Sequence, residues 1–95
     1  ASAVIGDHWH IATADAEVLP KGTAHITDVG MCGSLDSSLG VSFTNLITRW
    51  RDGKTTPNVV ETEGRMQLNA LLIDVDETTG LARSSMQIRR ILTTI

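Results

Sequence analysis

Val4-Ile5-Gly6-Asp7-His8-Trp9-His10 is an apolar run that breaks at a glycine and then delivers two histidines two residues apart. Ala3 to Gly6, short, β-branched and closed by Gly-Asp, predicts a buried strand that ends at a functional loop. If the backbone stays extended, His8 and His10 project to one side and Trp9 to the other, because side chains alternate along a strand. Neutral imidazoles are ligands for zinc, iron and manganese, so two on one side can each offer a nitrogen to adjacent ions. From these residues alone, metal ligands and surface histidines stand as equal readings.

Outward from this stretch, Thr13 to Val18 predicts one turn of helix with Thr13 as N-cap, stopped by Pro20-Lys21-Gly22. Thr23 to Val29 reads as a second strand, with Ala24, Ile26 and Asp28 on one side. Gly30, Gly33 and Gly40 then punctuate a loop to Val41, rich in serine and aspartate that suit turns and capping. Ser42 to Trp50 is the one good helix: Ser42 is the cap, and Phe43, Leu46, Ile47 and Trp50 form an apolar stripe. Arg51 to Pro57 is an exposed loop, and Asn58 to Thr62 a short edge strand. Arg65 to Val75 and Leu81 to Ile91 form a hairpin around Asp76-Glu77-Thr78-Thr79-Gly80, with glycine at the position that needs positive φ. Met66, Leu68, Ala70 and Leu72 are expected on one face of its first strand. Ala82, Ser84, Met86 and Ile88 are expected inside on the second.

Ninety-five residues suffice for one domain, residues 1–95, with a modest core. Hydrophobic residues at 41% and charged residues at 20% exclude the disordered and fibrous classes. A net charge of -3 argues against binding a nucleic-acid duplex through its phosphates, which needs clustered Lys and Arg; Arg49 with Arg51, and Arg89 with Arg90, read as solvated surface. No apolar run reaches the ~20 residues that a membrane-spanning helix needs. The single Cys32 cannot close an internal disulfide and fits a reducing compartment, so a cytoplasmic location is the expectation. The chain opens without Met directly on an apolar strand, which predicts a cut through a longer chain.

Each remaining candidate has a bland reading beside it. His25, alone in an apolar strand, reads as a packed or surface residue. Asp28 is either an acceptor for a ligand histidine N–H or a cap on the Gly30 turn, and the cap is preferred. Cys32 has no activating neighbour and reads as an inert thiol. Asp74, Asp76 and Glu77 lack the glycine and final glutamate of a helix-loop-helix calcium site and read as a solvated hairpin tip. Asp15 and Glu17 are expected to face solvent.

Gly6-Asp7-His8-Trp9-His10 with Thr13-Ala14-Asp15, then Leu19-Pro20-Lys21-Gly22-Thr23-Ala24 and Thr27-Asp28-Val29-Gly30-Met31, resembles the C-terminal third of the bacterial YmdB-like metallophosphoesterases. Leu68-Asn69-Ala70-Leu71-Leu72-Ile73-Asp74, Thr79-Gly80 and Ile88-Arg89-Arg90-Ile91 fit the same region in the same order. The resemblance implies an α/β fold, α+β in this segment taken alone: the C-terminal portion of an α/β/β/α calcineurin-like sandwich with one main helix and a closing hairpin. It also implies a two-metal centre, with Fe, Mn or Zn, that hydrolyses cyclic-nucleotide phosphodiesters, notably 2',3'-cyclic forms. Carried over by residue, His8 and His10 would each hold one metal, and Gly6 would let the strand end turn into the site. Asp28 and Gly30 would support the ligands or the substrate loop. The other ligands and the proton donor of that family lie upstream, so no catalytic residue is expected in this chain.

Two departures stand out. The family usually has small residues at the places of Asp7 and Trp9, so Trp9 must find room away from the metals. Cys32 and Ser34 stand where threonine and proline are common. The mechanism implied is hydrolysis assisted by two cations about 4 Å apart, with this chain inactive alone and completed by the missing N-terminal part of the domain. Exposed sheet edges would then favour pairing with that part or a homo-oligomer. An amidohydrolase-like barrel ranks low, because the chain closes on a hairpin; a small β-rich binding or assembly module with incidental histidines is the non-enzyme alternative.

Overall fold

Ala24, Ile26 and Asp28 stand at alternate positions, and all three are fully buried in the computed structural model, which describes residues 1–93. The period of two is that of a strand with one covered side. Strand β1 (Ala3–Ile5) runs parallel to β3 (Ala24–Ile26), with Ala3 opposite Ala24 and Ile5 opposite Ile26. Strand β2 (Glu17–Val18) pairs antiparallel on the other side of β3, giving the order β1-β3-β2. A second sheet has the order β4-β5-β6, from β4 (Gly33–Ser34), β5 (Met66–Val75) and β6 (Ala82–Leu92). One helix among the described residues, α1 (Phe43–Asp52), completes an α+β architecture.

The chain divides into two compact units, one of residues 1–31 with 68–90 and one built on 32–67. In the first, the hairpin docks by backbone and side-chain bonds: Ala82 N–H donates to the Gly22 carbonyl at 2.8 Å and Ser2 Oγ to the Gly80 carbonyl at 2.6 Å. Gln87 Nε2 donates to the Thr13 carbonyl at 2.9 Å. The hairpin turn is as predicted, with Gly80 at φ 74° and the Asp76 carboxyl accepting from the Thr78 and Thr79 amides.

In the second unit, buried Ser34 donates to the Glu63 carbonyl at 2.6 Å and accepts from the Asp36 amide. Asp36 takes an ion pair from Arg65 at 2.7 Å. The expected glycine loop therefore contains β4 and a polar network. Helix α1 starts at the expected cap, but the Ser42 hydroxyl makes no cap bond; the end is fixed by Gly53, left-handed at φ 66°, whose N–H bonds the Arg49 carbonyl. Arg49 is not a solvated residue as predicted: it bonds Thr56 and Asn58, clasping the following loop against the helix.

Several expectations fail for identifiable reasons. No helix forms over 13–18, because the Thr13 hydroxyl and the Asp15 carboxyl take up the backbone amides of Asp28 and Thr27, far along the chain. Val4 and Ile5, which point to opposite faces of β1, are both exposed, so neither face of this edge strand is fully covered there. The two faces of β5 separate as expected, with Asn69, Leu71 and Ile73 on the less exposed one and Leu68 and Leu72 exposed on the other; Asn69 turns inward to donate to the Met31 carbonyl at 2.6 Å. Ser84 and Met86 are likewise exposed, and the less exposed positions of β6 are Ala82, Ser85 and Ile88. The segment 58–62 makes a single bridge, Val60 to Val41. Of the α1 stripe only Leu46 is buried.

Gly6 is sterically required where β1 ends. A Cβ there would lie 1.9 Å from the Thr27 carbonyl oxygen, whereas one at Gly53 would meet nothing within 4 Å and carry only a left-handed backbone penalty. Gly6→Ala is expected to destabilise by on the order of 3 kcal/mol and Gly53→Ala by about 1 kcal/mol. Urea midpoints followed by circular dichroism check this, and equal losses would refute the close-approach argument.

Candidate functional site

Strand β1 stops at Ile5, and the chain turns where Gly6 crosses the segment after β3: Gly6 N–H donates to the Ile26 carbonyl at 3.1 Å and Val29 N–H to the Gly6 carbonyl at 2.9 Å. The backbone from His8 to Ile11 bends rather than continuing extended, and His10 sits in the left-handed region at φ 71°. The prediction that His8 and His10 share one side of a strand, with Trp9 opposite, is therefore overturned. Its premise, an extended backbone, fails from His8 onward. The Trp9 indole and the His8 imidazole make a T-shaped pair, ring centroids 5.3 Å apart and planes at 72°, so Trp9 flanks His8 instead of turning away. Both histidines and Trp9 are exposed.

A left-handed non-glycine residue costs roughly 1–2 kcal/mol and persists where its surroundings hold it. Here the holding group is Asp28. Its carboxyl is completely buried and accepts from two backbone amides, Trp9 N–H on Oδ2 and Gly30 N–H on Oδ1 at 2.8 Å. The preferred reading of Asp28 as the cap of the Gly30 turn is realised, with the histidine-bearing turn attached to the same group. Met31 N–H donates to the His10 carbonyl at 2.9 Å, closing the turn from the other end.

Gly30 is left-handed at φ 88°, and a Cβ there would crowd the Ala12 nitrogen and the Asn69 amide, each at 3.0 Å. Gly6, Asp28 and Gly30 thus meet around one turn, with His8 and His10 on its solvent side. Among the described residues, no group of three or more His, Cys, Asp or Glu side chains gathers to hold an ion. Cys32 is an exposed thiol. His25 Nδ1 lies 2.9 Å from the Val4 carbonyl, which fits its reading as a packed strand residue.

Sequence reasoning missed the brace behind Asp28. Thr13 Oγ1 accepts from the Asp28 amide at 3.0 Å, and Thr13 N–H donates to the Asp28 carbonyl at 2.9 Å. Asp15, though exposed, accepts from the Thr13 hydroxyl at 2.6 Å and from the amide and hydroxyl of Thr27. Those bonds, Thr13 first and then Thr27, hold the Asp15 carboxyl well below the usual carboxylate range. The available signal was Thr-x-Asp, a spacing at which side chains satisfy nearby backbone in place of a helix.

The family model described as YmdB-like protein matches residues 1–90. The chain is 44% identical over 92 residues to the 2',3'-cyclic-nucleotide 2'-phosphodiesterase of Bacillus subtilis (strain 168), covering 97% of this chain and 33% of that protein. Two crystal structures share its fold. A hypothetical protein from Thermus thermophilus has a TM-score of 0.84 at 32% identity, over 96% of this chain and 35% of the other. A novel phosphatase from Mycoplasma pneumoniae has a TM-score of 0.86 at 33% identity, over 95% and 32%. The chain spans about a third of the length of these relatives.

The depressed carboxyls set an acid limb. Asp15 is joined by Asp36, lowered by Arg65, and Asp76, lowered by Arg83. A carboxyl whose folded pKa lies below its ordinary value of 3.8 stabilises fully above that value, and the stability is lost as pH falls below it. The thermal midpoint is expected to hold from pH 7 to about 5 and to drop toward pH 2. Asp15→Asn should lower the midpoint at pH 6 and flatten the acid limb; identical limbs in both proteins would show that Asp15 contributes nothing.

Proposed function

The chain belongs to the YmdB-like family, and from that membership we propose that it is the C-terminal portion of a two-metal phosphodiesterase of the cytoplasm, acting on cyclic-nucleotide or related phosphoesters. His8 and His10 supply one imidazole to each of two divalent ions, Fe, Mn or Zn. Two ions bound there would polarise the phosphoryl oxygens and lower the pKa of a bound water. The single observation that carries this reading is the turn itself: its backbone amide at Trp9 is bound inward by buried Asp28 while both imidazoles stay open to solvent.

Metal-ligand imidazoles need a rigid backing. In this reading Gly6 lets the strand end approach Thr27, Gly30 lets the opposite turn approach Asn69, and Asp28 ties the two turns together. Asp28 thus supports the ligands through the backbone. The residues fit one side of a metal centre and no more, since the described residues bring no third ligand to it. The remaining ligands and the proton donor belong to the part of the relatives that this chain does not span. Val4, Ile5, Leu68 and Leu72 are exposed apolar residues of the same unit, which supports covering by that part or by a second copy.

Two measurements test the proposal. The 95-residue chain alone should not turn over a chromogenic phosphodiester with Mn or Fe added; metal-dependent turnover abolished by His8→Ala would show a site complete within it. Manganese or zinc titrated by calorimetry should bind wild type more tightly than a His8→Ala/His10→Ala double variant, by at least about tenfold. Indistinguishable isotherms would make the histidines incidental and favour a β-rich binding module.

A further inference from the structure

Trp9 is 64% exposed in a chain with only three aromatic residues. A large indole left in water beside candidate ligands calls for a partner, because transferring its faces out of water is among the most favourable burials any side chain offers. Three features single it out from the other exposed apolar residues. Its ring lies 5.3 Å from the His8 imidazole, centroid to centroid, so it flanks one of the two candidate ligands. Its own backbone N–H is bound by the fully buried Asp28, so the root of the side chain is fixed. Its neighbour His10 is left-handed, so the turn presents the side chains of residues 8 to 10 outward.

Resting on the phosphodiesterase reading, we propose that Trp9 is the substrate-selecting residue of this site, stacking on the nucleobase of a cyclic nucleotide whose phosphate lies at His8 and His10. Every base has a π-face, so a single indole selects nucleotides over base-free phosphodiesters without reading the base edge. With the two ring planes at 72°, His8 covers at most one broad face of the indole, and the other is left for stacking. Trp9 takes no part in bond making; it sets which phosphodiester is held, and its effect falls on binding rather than on the chemical step.

The test uses the complete protein that contains this chain, with wild type, Trp9→Ala and Trp9→Phe. Two substrates share the reacting ring and differ in the base: 2',3'-cyclic AMP and the five-membered cyclic phosphodiester of glycerol. Trp9→Ala is expected to raise KM for the nucleotide roughly ten- to a hundredfold, well beyond any change in kcat or on the glycerol compound, and Trp9→Phe to recover most of the loss. Calorimetry reads the same contrast without turnover: AMP binding weakens in Trp9→Ala while inorganic phosphate binding does not. Equal KM in wild type and Trp9→Ala, or parallel losses on both substrates and both ligands, would overturn the assignment of Trp9 alone. A wild type that hydrolyses neither diester and binds neither ligand would overturn the phosphodiesterase reading and this inference with it.

Discussion

A single carboxyl group holds the candidate site in shape. Asp28 is fully buried, and a buried polar group is tolerated only when its hydrogen bonds are made. Its two oxygens bond two amides from different turns, Trp9 and Gly30, and its own backbone is bonded on both sides by Thr13. Removing the carboxyl would leave two amides without acceptors, at about 1–3 kcal/mol for each one that stays buried. Around it the chain is threaded too closely for side chains: Gly6 lies against Thr27, and Gly30 against Ala12 and Asn69. The glycines and the aspartate are one device, because the close approach is what brings the amides within reach of the carboxyl.

This polar arrangement matters more because the apolar core is small. Among the described residues, Ala24, Ile26 and Ala82 are the buried apolar side chains of the first unit, and Leu46 that of the second. Four side chains of this size exclude little water, so directional bonds do much of the specifying: Asp15 to Thr27, Asn69 to Met31, Ser34 to Glu63, Arg49 to Thr56. Many larger apolar residues stay exposed, among them Val4, Trp50, Leu72 and Met86. The chain spans about a third of the length of its relatives.

That division explains which features the sequence made legible. Local rules read correctly: the Ala24, Ile26, Asp28 alternation, the Asp76 to Gly80 turn, and a helix beginning after Ser42. Facing depends on what lies across from a strand, and there the reading failed. On β6 Ser84 and Met86 were expected inside and are exposed, and on β5 Asn69, a poor core residue by composition, is drawn inward by a carbonyl 38 positions earlier in the chain. The 13–18 helix failed because Thr13 and Asp15 found partners at Thr27 and Asp28, another long-range choice. The site residues Gly6, Asp28 and Gly30 do come together, yet the link between Asp28 and the histidine turn runs through the Trp9 amide. No side-chain pattern announces a bond from a backbone N–H.

That backbone link has a consequence for how the site can vary. Any non-proline residue at position 9 would present the same N–H to Asp28, so the side chain there is independent of the anchor. The scaffold consists of Gly6, Thr13, Asp28 and Gly30, and none of them is exposed; Asp7, His8, Trp9 and His10 are all exposed. The exposed side chains of the turn are thus separate from the groups that hold its backbone. The indole at position 9 leaves that anchor as it is, and its ring lies beside His8 on the exposed side of the turn.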